Sequence, residues 1–313
     1  MRLKPGRPDL ATYARRFDVP TAGDGLSVTF LGVSSLLIDD GSSAILTDGF
    51  FTRPSLLKVA LGRLAPDAAR IDACLARAGI DRADGVLPVH SHYDHALDSA
   101  YVADRTGALL VGGESTANIG RGHGLPDDRI VVATPGEPIA LGAFTVTLVE
   151  SQHCPPDRYP GTIDEPVRPP VKVGAYRCGE AWSILVEHAS SRTALVQGSA
   201  GFVPGALAGR TAEVAYLGVG QLGLQSEEYL TTYWQETVRT VGARRAVLTH
   251  WDDFFRPLPV TSDLAPLRAL PYAGDDLDVT MRVLTRLAEE DGVALSFPTV
   301  WQREDPWAGL APG

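Results

Sequence analysis

The chain reads as an α/β protein in two similar halves, each alternating strands with helices, an order that suggests two β-sheets packed face to face with helices outside. Two patterns carry that reading. Short apolar runs are bounded by Gly and Asp-Gly turn signals, and between them lie segments whose apolar residues recur with a helical period. Composition agrees: 313 residues with 44% hydrophobic content can bury a large core, and 21% charged residues is ordinary for a globular protein. No linker divides the chain, so a single domain over residues 1–313 is expected, with its core spanning about 26–298.

Strands are expected at 26–31, 35–39 and 44–47, with Asp40-Gly41 marking the hairpin between the last two. A helix follows over 67–78, where Ile71, Leu75 and Ala78 share a face and Gly79 stops it. A short buried strand at 85–89 and a helix at 98–106 come next. Further strands are expected at 145–149, 181–188, 193–197, 214–217 and 246–249, with helices at 227–241 and 279–291. Between them, Pro155, Pro156, Pro160, Pro166, Pro169 and Pro170 forbid a long helix or a central strand, so 154–180 should be a stiff loop. A second irregular rim is expected at 254–274.

The chemistry is concentrated in Val89-His90-Ser91-His92-Tyr93-Asp94-His95, at the end of an apolar run. A strand end is a stiff place to hang ligands. His90 and His92, two apart, can share one side of an extended segment, while Asp94 and His95 lie past the bend and can be aimed elsewhere. Two adjacent metal sites follow more naturally than one crowded site. A merely solvated polar loop rarely assembles so many ligand-capable side chains.

His90-Ser91-His92-Tyr93-Asp94-His95 resembles the HxHxDH signature of the metallo-β-lactamase superfamily, and the likeness continues along the chain. Asp48 ends an early strand, His153 follows a mid-chain strand, Gly198-Ser199-Ala200-Gly201 stands where that family has a Gly-Asp-Thr-Gly-like turn, and His250 follows a late strand. The resemblance implies a four-layer αββα sandwich of two mixed sheets flanked by helices. It implies one metal held by His90, His92 and His153, and another held by Asp94, His95 and His250. Asp48 would accept a hydrogen bond from a ligand histidine and fix its tautomer. Asp98 would either orient a ligand or sit at a helix N-terminus, where its charge suits the dipole.

The departure is Ser199, at the position where most hydrolases of the family carry an Asp bridging both metals. A neutral hydroxyl there should weaken the second site and leave two divalent ions, Asp94 and a hydroxide at about +2 instead of about +1, favouring external anions or substrate oxygens as ligands. Tyr93, Tyr159, Tyr176 and Trp251 are candidate pocket walls, and the run through Phe254 adjoins His250. His123 reads as a loop residue, His188 as a strand-end residue, and Cys154 as projecting away from His153.

A net charge of -10 and a pI near 5.2 argue against nucleic acid as partner, because phosphate binding needs basic patches. Three cysteines, Cys74, Cys154 and Cys178, do not make a disulfide framework, and the N-terminal residues lack the apolar core of a signal peptide. No stretch is apolar enough for a membrane span. The expectation is therefore a cytoplasmic protein with a small-molecule substrate, no membrane partner, and compatibility with homo-oligomer formation. The resemblance implies one or two Zn2+ per chain, with Mn2+ or Fe2+ also able to fill such ligands. It further implies hydrolysis of a small ester or lactone by a metal-bound hydroxide, with Asp94 holding it in line and taking its proton. Phosphodiester hydrolysis at the same dinuclear site is the enzymatic alternative. A metal-binding sensor or scaffold that lost turnover with its bridging carboxylate is the non-catalytic one.

Overall fold

The computed structural model describes residues 4–261 and 266–310, so part of the expected 254–274 rim lies outside the described residues. Among the described residues, fourteen strands form two seven-stranded sheets. The first holds β1 (Ser27–Phe30), β2 (Leu36–Asp39), β3 (Ala44–Thr47), β4 (Gly85–Leu87), β5 (Leu109–Gly112) and β6 (Ile130–Val132). The second holds β7 (Pro138–Leu141), β8 (Phe144–Ser151), β9 (Ala181–His188), β10 (Thr193–Gln197), β11 (Val214–Gly218), β12 (Arg245–Thr249) and β13 (Ala294–Ser296). The chain then returns to the first sheet, where β14 (Arg303–Glu304) pairs antiparallel with β1.

Each sheet is antiparallel in one part and parallel in the other. β1 to β3 form a meander and β3 to β6 run parallel; β7 to β10 form a meander and β10 to β13 run parallel. The hairpin between β2 and β3 turns at the expected Asp40-Gly41, where Asp40 Oδ1 accepts the backbone N–H groups of Ser42 and Ser43, each at 2.7 Å.

Side-chain alternation builds the layers. Leu36 and Ile38 of β2 and Ile45 of β3 join Phe144, Val146, Ile184 and Leu195 of the other sheet in one buried cluster. The intervening Leu37 and Leu46, with Val86 and Leu110, face a second cluster completed by Ile71, Cys74 and Leu75 of α2 (Ala68–Ala78), Val102 and Ala103 of α4 (Ser99–Thr106), and Ile119 of α5 (Glu114–His123). On the far side of the second sheet pack α6 (Glu227–Trp234) and α7 (Leu277–Asp291), through Leu230, Tyr233, Met281 and Leu284 among others. Two further short helices, α1 (Leu56–Leu61) and α3 (Tyr93–Ala96), flank the strand ends. The result is the expected αββα sandwich of two mixed sheets.

Local signals act as read for α2: Asp67 accepts Arg70 N–H, and Gly79 ends the helix in the left-handed region at φ 69°. The helix expected over 227–241 is instead α-helical to Trp234, then widens into a π-helix over Gln235–Arg239, where Thr240 Oγ1 donates to Gln235 O. His123, expected in a loop, is the last residue of α5, capped by Gly124. His188 is a strand-end residue as expected, bonded through Nε2 to Asp40 at 3.0 Å.

One buried acid ties pH to stability. Glu304 is 1% exposed, and burial pushes its carboxyl up from an ordinary 4.5 to about 8, despite a 2.8 Å hydrogen bond from Thr299 N–H. The folded chain thus keeps this proton to a higher pH than the unfolded chain. The corresponding stability is complete below 4.5 and is lost as pH rises through about 8. Melting temperature should therefore fall between about pH 5 and pH 9, and Glu304→Gln should flatten that fall; an unchanged slope in the variant would refute the assignment.

Candidate metal centre

Five strand ends bring the site together. β8 and β10 both run antiparallel to β9, hence parallel to each other, and β12 follows β10 and β11 in the same direction. His153, Ser199 and His250 consequently emerge from one edge of the second sheet. Asp48 after β3 and His90 after β4 emerge from the first sheet beside them. The imidazoles converge across the sheets: ring centroids of His90 and His153 are 5.0 Å apart, His92 and His153 4.7 Å, and His95 and His250 5.1 Å. Glycine makes the close approach feasible. A Cβ on Gly201 would lie 1.9 Å from Gln152 O, just before His153, and one on Gly220 would lie 2.8 Å from His250 Nδ1.

Two groups have ligand atoms mutually within 4.8 Å: His90, His92 and His153, and Asp94, His95 and His250. These are the two triplets expected from the sequence. The outer ring nitrogens of His92, His153 and His95 are engaged by neighbouring groups, while Nδ1 of His90 and of His250 is buried without a hydrogen-bond partner. His92 Nε2 lies 3.2 Å from Asp157 Oδ1 and 3.4 Å from Tyr159 O, which leaves Nδ1 facing His90 Nε2 at 3.0 Å. His153 Nδ1 bonds to Cys154 O at 2.6 Å, leaving Nε2. His95 Nδ1 bonds to Asp48 Oδ2 at 2.8 Å, and its Nε2 is buried without a hydrogen-bond partner, 3.7 Å from Asp94 Oδ2. His250 Nε2 lies 3.5 Å from the same oxygen. A buried nitrogen without a partner is costly unless something completes it, and a divalent cation does so for lone pairs aimed at a common point. The residues therefore fit a metal.

In the first triplet, ionisation favours the same chemistry. Burial lowers the pKa of His90 far below its ordinary value, reinforced by His95 and the other imidazoles. Burial likewise lowers His92, against the pull of Asp94 and Asp157, and takes His153 down to about 4 with help from His92. Neutral imidazoles have lone pairs to give. For Asp94, burial opposes ionisation, but His95 and His250 outweigh it and hold the carboxyl well below the usual range. For His95, burial is outweighed by Asp48 and Asp94, so its pKa is raised.

Asp48 stands where the sequence suggested, with Oδ1 accepting Val89 N–H at 2.9 Å and Oδ2 holding His95. Asp98 does not orient a ligand. Its oxygens accept Phe51 N–H at 2.8 Å, Thr52 N–H at 2.6 Å and the Thr52 hydroxyl at 2.6 Å, fixing the loop after Asp48, and burial raises its carboxyl to about 6. At the bridging position, the Ser199 hydroxyl accepts Cys154 N–H at 2.9 Å, so it anchors the His153 loop. Cys154 itself is buried, its thiol pushed up to about 12 by burial.

Of the expected pocket walls, Tyr159 adjoins the site, 6.4 Å from His92 between centroids. The other three pack into the core. Tyr176 is fully buried in the first sheet's helix-side cluster. Trp251 packs on Phe17, Phe30 and Phe297, and Tyr93 packs edge-on against Phe50. Each side chain turned toward the core because burying a large ring outweighs its neighbourhood in sequence. Phe254 is the aromatic beside His250, at 5.5 Å. Asp157, unforeseen, is set by the Pro-rich loop; its position four residues after His153 was the available signal. It also belongs to a third group with His92 and Cys178, but burial keeps that thiol protonated, so the group reads as support for His92.

Residues 28–174 match the family model of the metallo-beta-lactamase superfamily. A metal-dependent hydrolase of Methylobacterium nodulans is 31% identical over 128 residues, and one of Rhizobium leguminosarum bv. trifolii is 28% identical over 128 residues. Each match takes in 41% of this chain and 48% of the relative, so the chain spans about half the length of the curated relatives it matches. Among solved structures, a candidate metal-dependent hydrolase of Veillonella parvula superposes with a TM-score of 0.54 at 12% identity, covering 90% of this chain and 99% of that one. Another from Parabacteroides distasonis gives 0.52 at 13%, covering 91% and 99%. At such identities these structures speak for the fold alone.

Asp48→Asn would retain an acceptor for Val89 N–H while weakening the partner of His95. Metal affinity should drop about 10–100-fold at the Asp94, His95 and His250 group, with the other group little changed, in a chelator-competition titration. Equal loss at both groups would show that Asp48 acts on the fold.

Proposed function

Because the chain belongs to the metallo-β-lactamase superfamily, over residues 28–174 and in its fold, we propose that it is a metal-dependent hydrolase that uses zinc to open a small-molecule ester or lactone. One observation supports this most: two ligand triplets whose ligand atoms lie within 4.8 Å of one another meet at a shared edge, with one carboxylate, Asp94, facing two imidazoles. Divalent cations bound there would lower the pKa of a shared water toward ~7 and polarise the substrate oxygen.

The chain's own residues then have distinct tasks. Asp94 stays ionised and points one oxygen at His95 and His250; its carboxylate holds the attacking water in line, accepts the proton it loses and delivers that proton to the leaving oxygen. Asp48 and Asp157 hold His95 and His92 in the tautomers that turn their inner nitrogens toward the other ligands. Tyr159 and Phe254, beside His92 and His250 respectively, bound the space from two sides and exclude water. A net charge of -10 disfavours polyanionic polymers, which leaves small substrates.

A phosphodiester is the second reading, favoured by Ser199: without a bridging carboxylate the loaded site is more positive and suits a phosphate. The same absence should leave metal occupancy below two per chain at low zinc, and two ions retained after exhaustive dialysis against a weak chelator would contradict it. Metal analysis should be joined to a panel of esters, lactones and bis-p-nitrophenyl phosphate, with His92→Ala and Asp94→Ala as controls. Both variants should lose metal and at least about 100-fold in turnover on an ester or lactone. Activity confined to the phosphate ester would select the second reading, and metal-loaded protein inert on the whole panel would overturn both.

A further inference from the structure

Helix α1 reads Leu56-Leu57-Lys58-Val59-Ala60-Leu61 and shows its apolar side chains to solvent: Leu56 is 60% exposed, Leu57 69% and Leu61 70%. Among the described residues the next large apolar side chain in the same condition is Val132, alone on an edge strand. Leu57 and Leu61 are four apart and so share a face. An exposed apolar cluster of this kind marks an interaction surface.

Its surroundings say what covers it. The chain carries a net charge of -10 and only three lysines, of which two, Lys58 and Lys172, stand at this helix. Lys172 Nζ donates to Leu61 O at 2.9 Å, and Arg63, two residues past the helix end, donates from Nη1 to Pro170 O at 3.2 Å. Three exposed leucines with three cations on or bonded to the same segment, on a chain of net negative charge, complement an anionic lipid surface. A second copy of the chain fits less well, because two-fold pairing through this patch would bring like charges together. No helix among the described residues is long and apolar enough to cross a membrane, but a helix that lies on the surface has no such length requirement.

The patch is also tied to the loop that starts at the candidate metal centre. Leu64 and Val171 pair backbone to backbone, which joins the end of the α1 segment to the Pro-rich loop that begins beside His153. We propose that α1, with Lys58, Arg63 and Lys172, seats the protein on anionic lipid with the metal edge beside the bilayer surface. This does not depend on which bond the site hydrolyses.

The test is flotation of the full chain with vesicles of phosphatidylcholine containing about 30% phosphatidylglycerol, against phosphatidylcholine alone. The protein should float with the anionic vesicles only, and high salt should weaken the association. Leu57→Ser with Leu61→Ser should reduce binding at least about tenfold and Lys58→Glu should reduce it partly, with thermal melts unchanged because these side chains lie outside the core. Failure of the wild-type chain to float, or equal flotation of the double variant, would overturn the proposal. So would light scattering that shows a dimer converted to monomer by the double variant with no vesicle binding by either.

Discussion

The metal edge depends on two sheets being held in one register, and a buried ion pair holds them there. Arg53, in the loop after β3, pairs through Nη2 with Asp252, two residues beyond His250, and both side chains are wholly buried. Asp252 also accepts Val33 N–H at 2.9 Å, while Val33 O accepts His250 N–H at 2.7 Å. The β1–β2 turn, the loop after β3 and the chain after β12 are thereby locked around the backbone of one ligand. Exposed ion pairs contribute at most about 1 kcal/mol, whereas removing one partner of a buried pair costs about 3–5 kcal/mol because a charge is left without compensation. Arg53 Nε and Nη1 have no hydrogen-bond partner, so this pair is more a device for geometry than a source of net stability.

Backbone conformation gives the same account. Val33, Asp48, Arg53 and His250 all have φ between 44° and 57°, in the left-handed region. Asp tolerates that region, but a β-branched valine does not, and such residues cost about 1–3 kcal/mol each. Two of them, Asp48 and His250, directly follow a strand and begin a site segment, and Val33 and Arg53 lie in the turn and loop that bond to Asp252 and His250. Strain of that size persists only where tertiary bonds over-determine the conformation, which is what the bonds from Val33 N–H to Asp252 and from His250 N–H to Val33 O do for two of the four.

These features also decide what was legible in the sequence. His90, His92, Asp94 and His95 were readable because local spacing alone determines that they cluster. His153 and His250 carried no local signal, and only the family resemblance assembled them with the rest. The strands of the sandwich followed from short apolar runs between turn signals; a run such as Leu36, Leu37 and Ile38 is apolar throughout because its residues divide between the two cores. Short edge strands such as β6 and β7 escaped notice because three or four half-exposed residues make no pattern. Tyr176 and Trp251 were misplaced because proximity in sequence does not fix which way a ring turns. Helix α1 was missed for a physical reason too: amphipathic reading assumes that apolar faces go inward, and this one faces out.

Asp98 connects that outward face to the chemistry. Its carboxylate accepts both backbone N–H groups of Phe51 and Thr52, and the Thr52 hydroxyl in turn accepts Asp67 N–H at 2.8 Å at the start of α2. The segment from Asp48 to Arg53 is therefore fixed at one end by His95, in its middle by Asp98 and at its far end by Asp252, and α1 begins three residues later. A carboxylate buried beside the HxHxDH motif thus serves the loop that carries α1, and leaves the ligands to Asp48 and Asp157. Whatever rests on α1 bears on a segment with little freedom to yield, so contact there orients the metal edge as a rigid body and needs no rearrangement of the ligands.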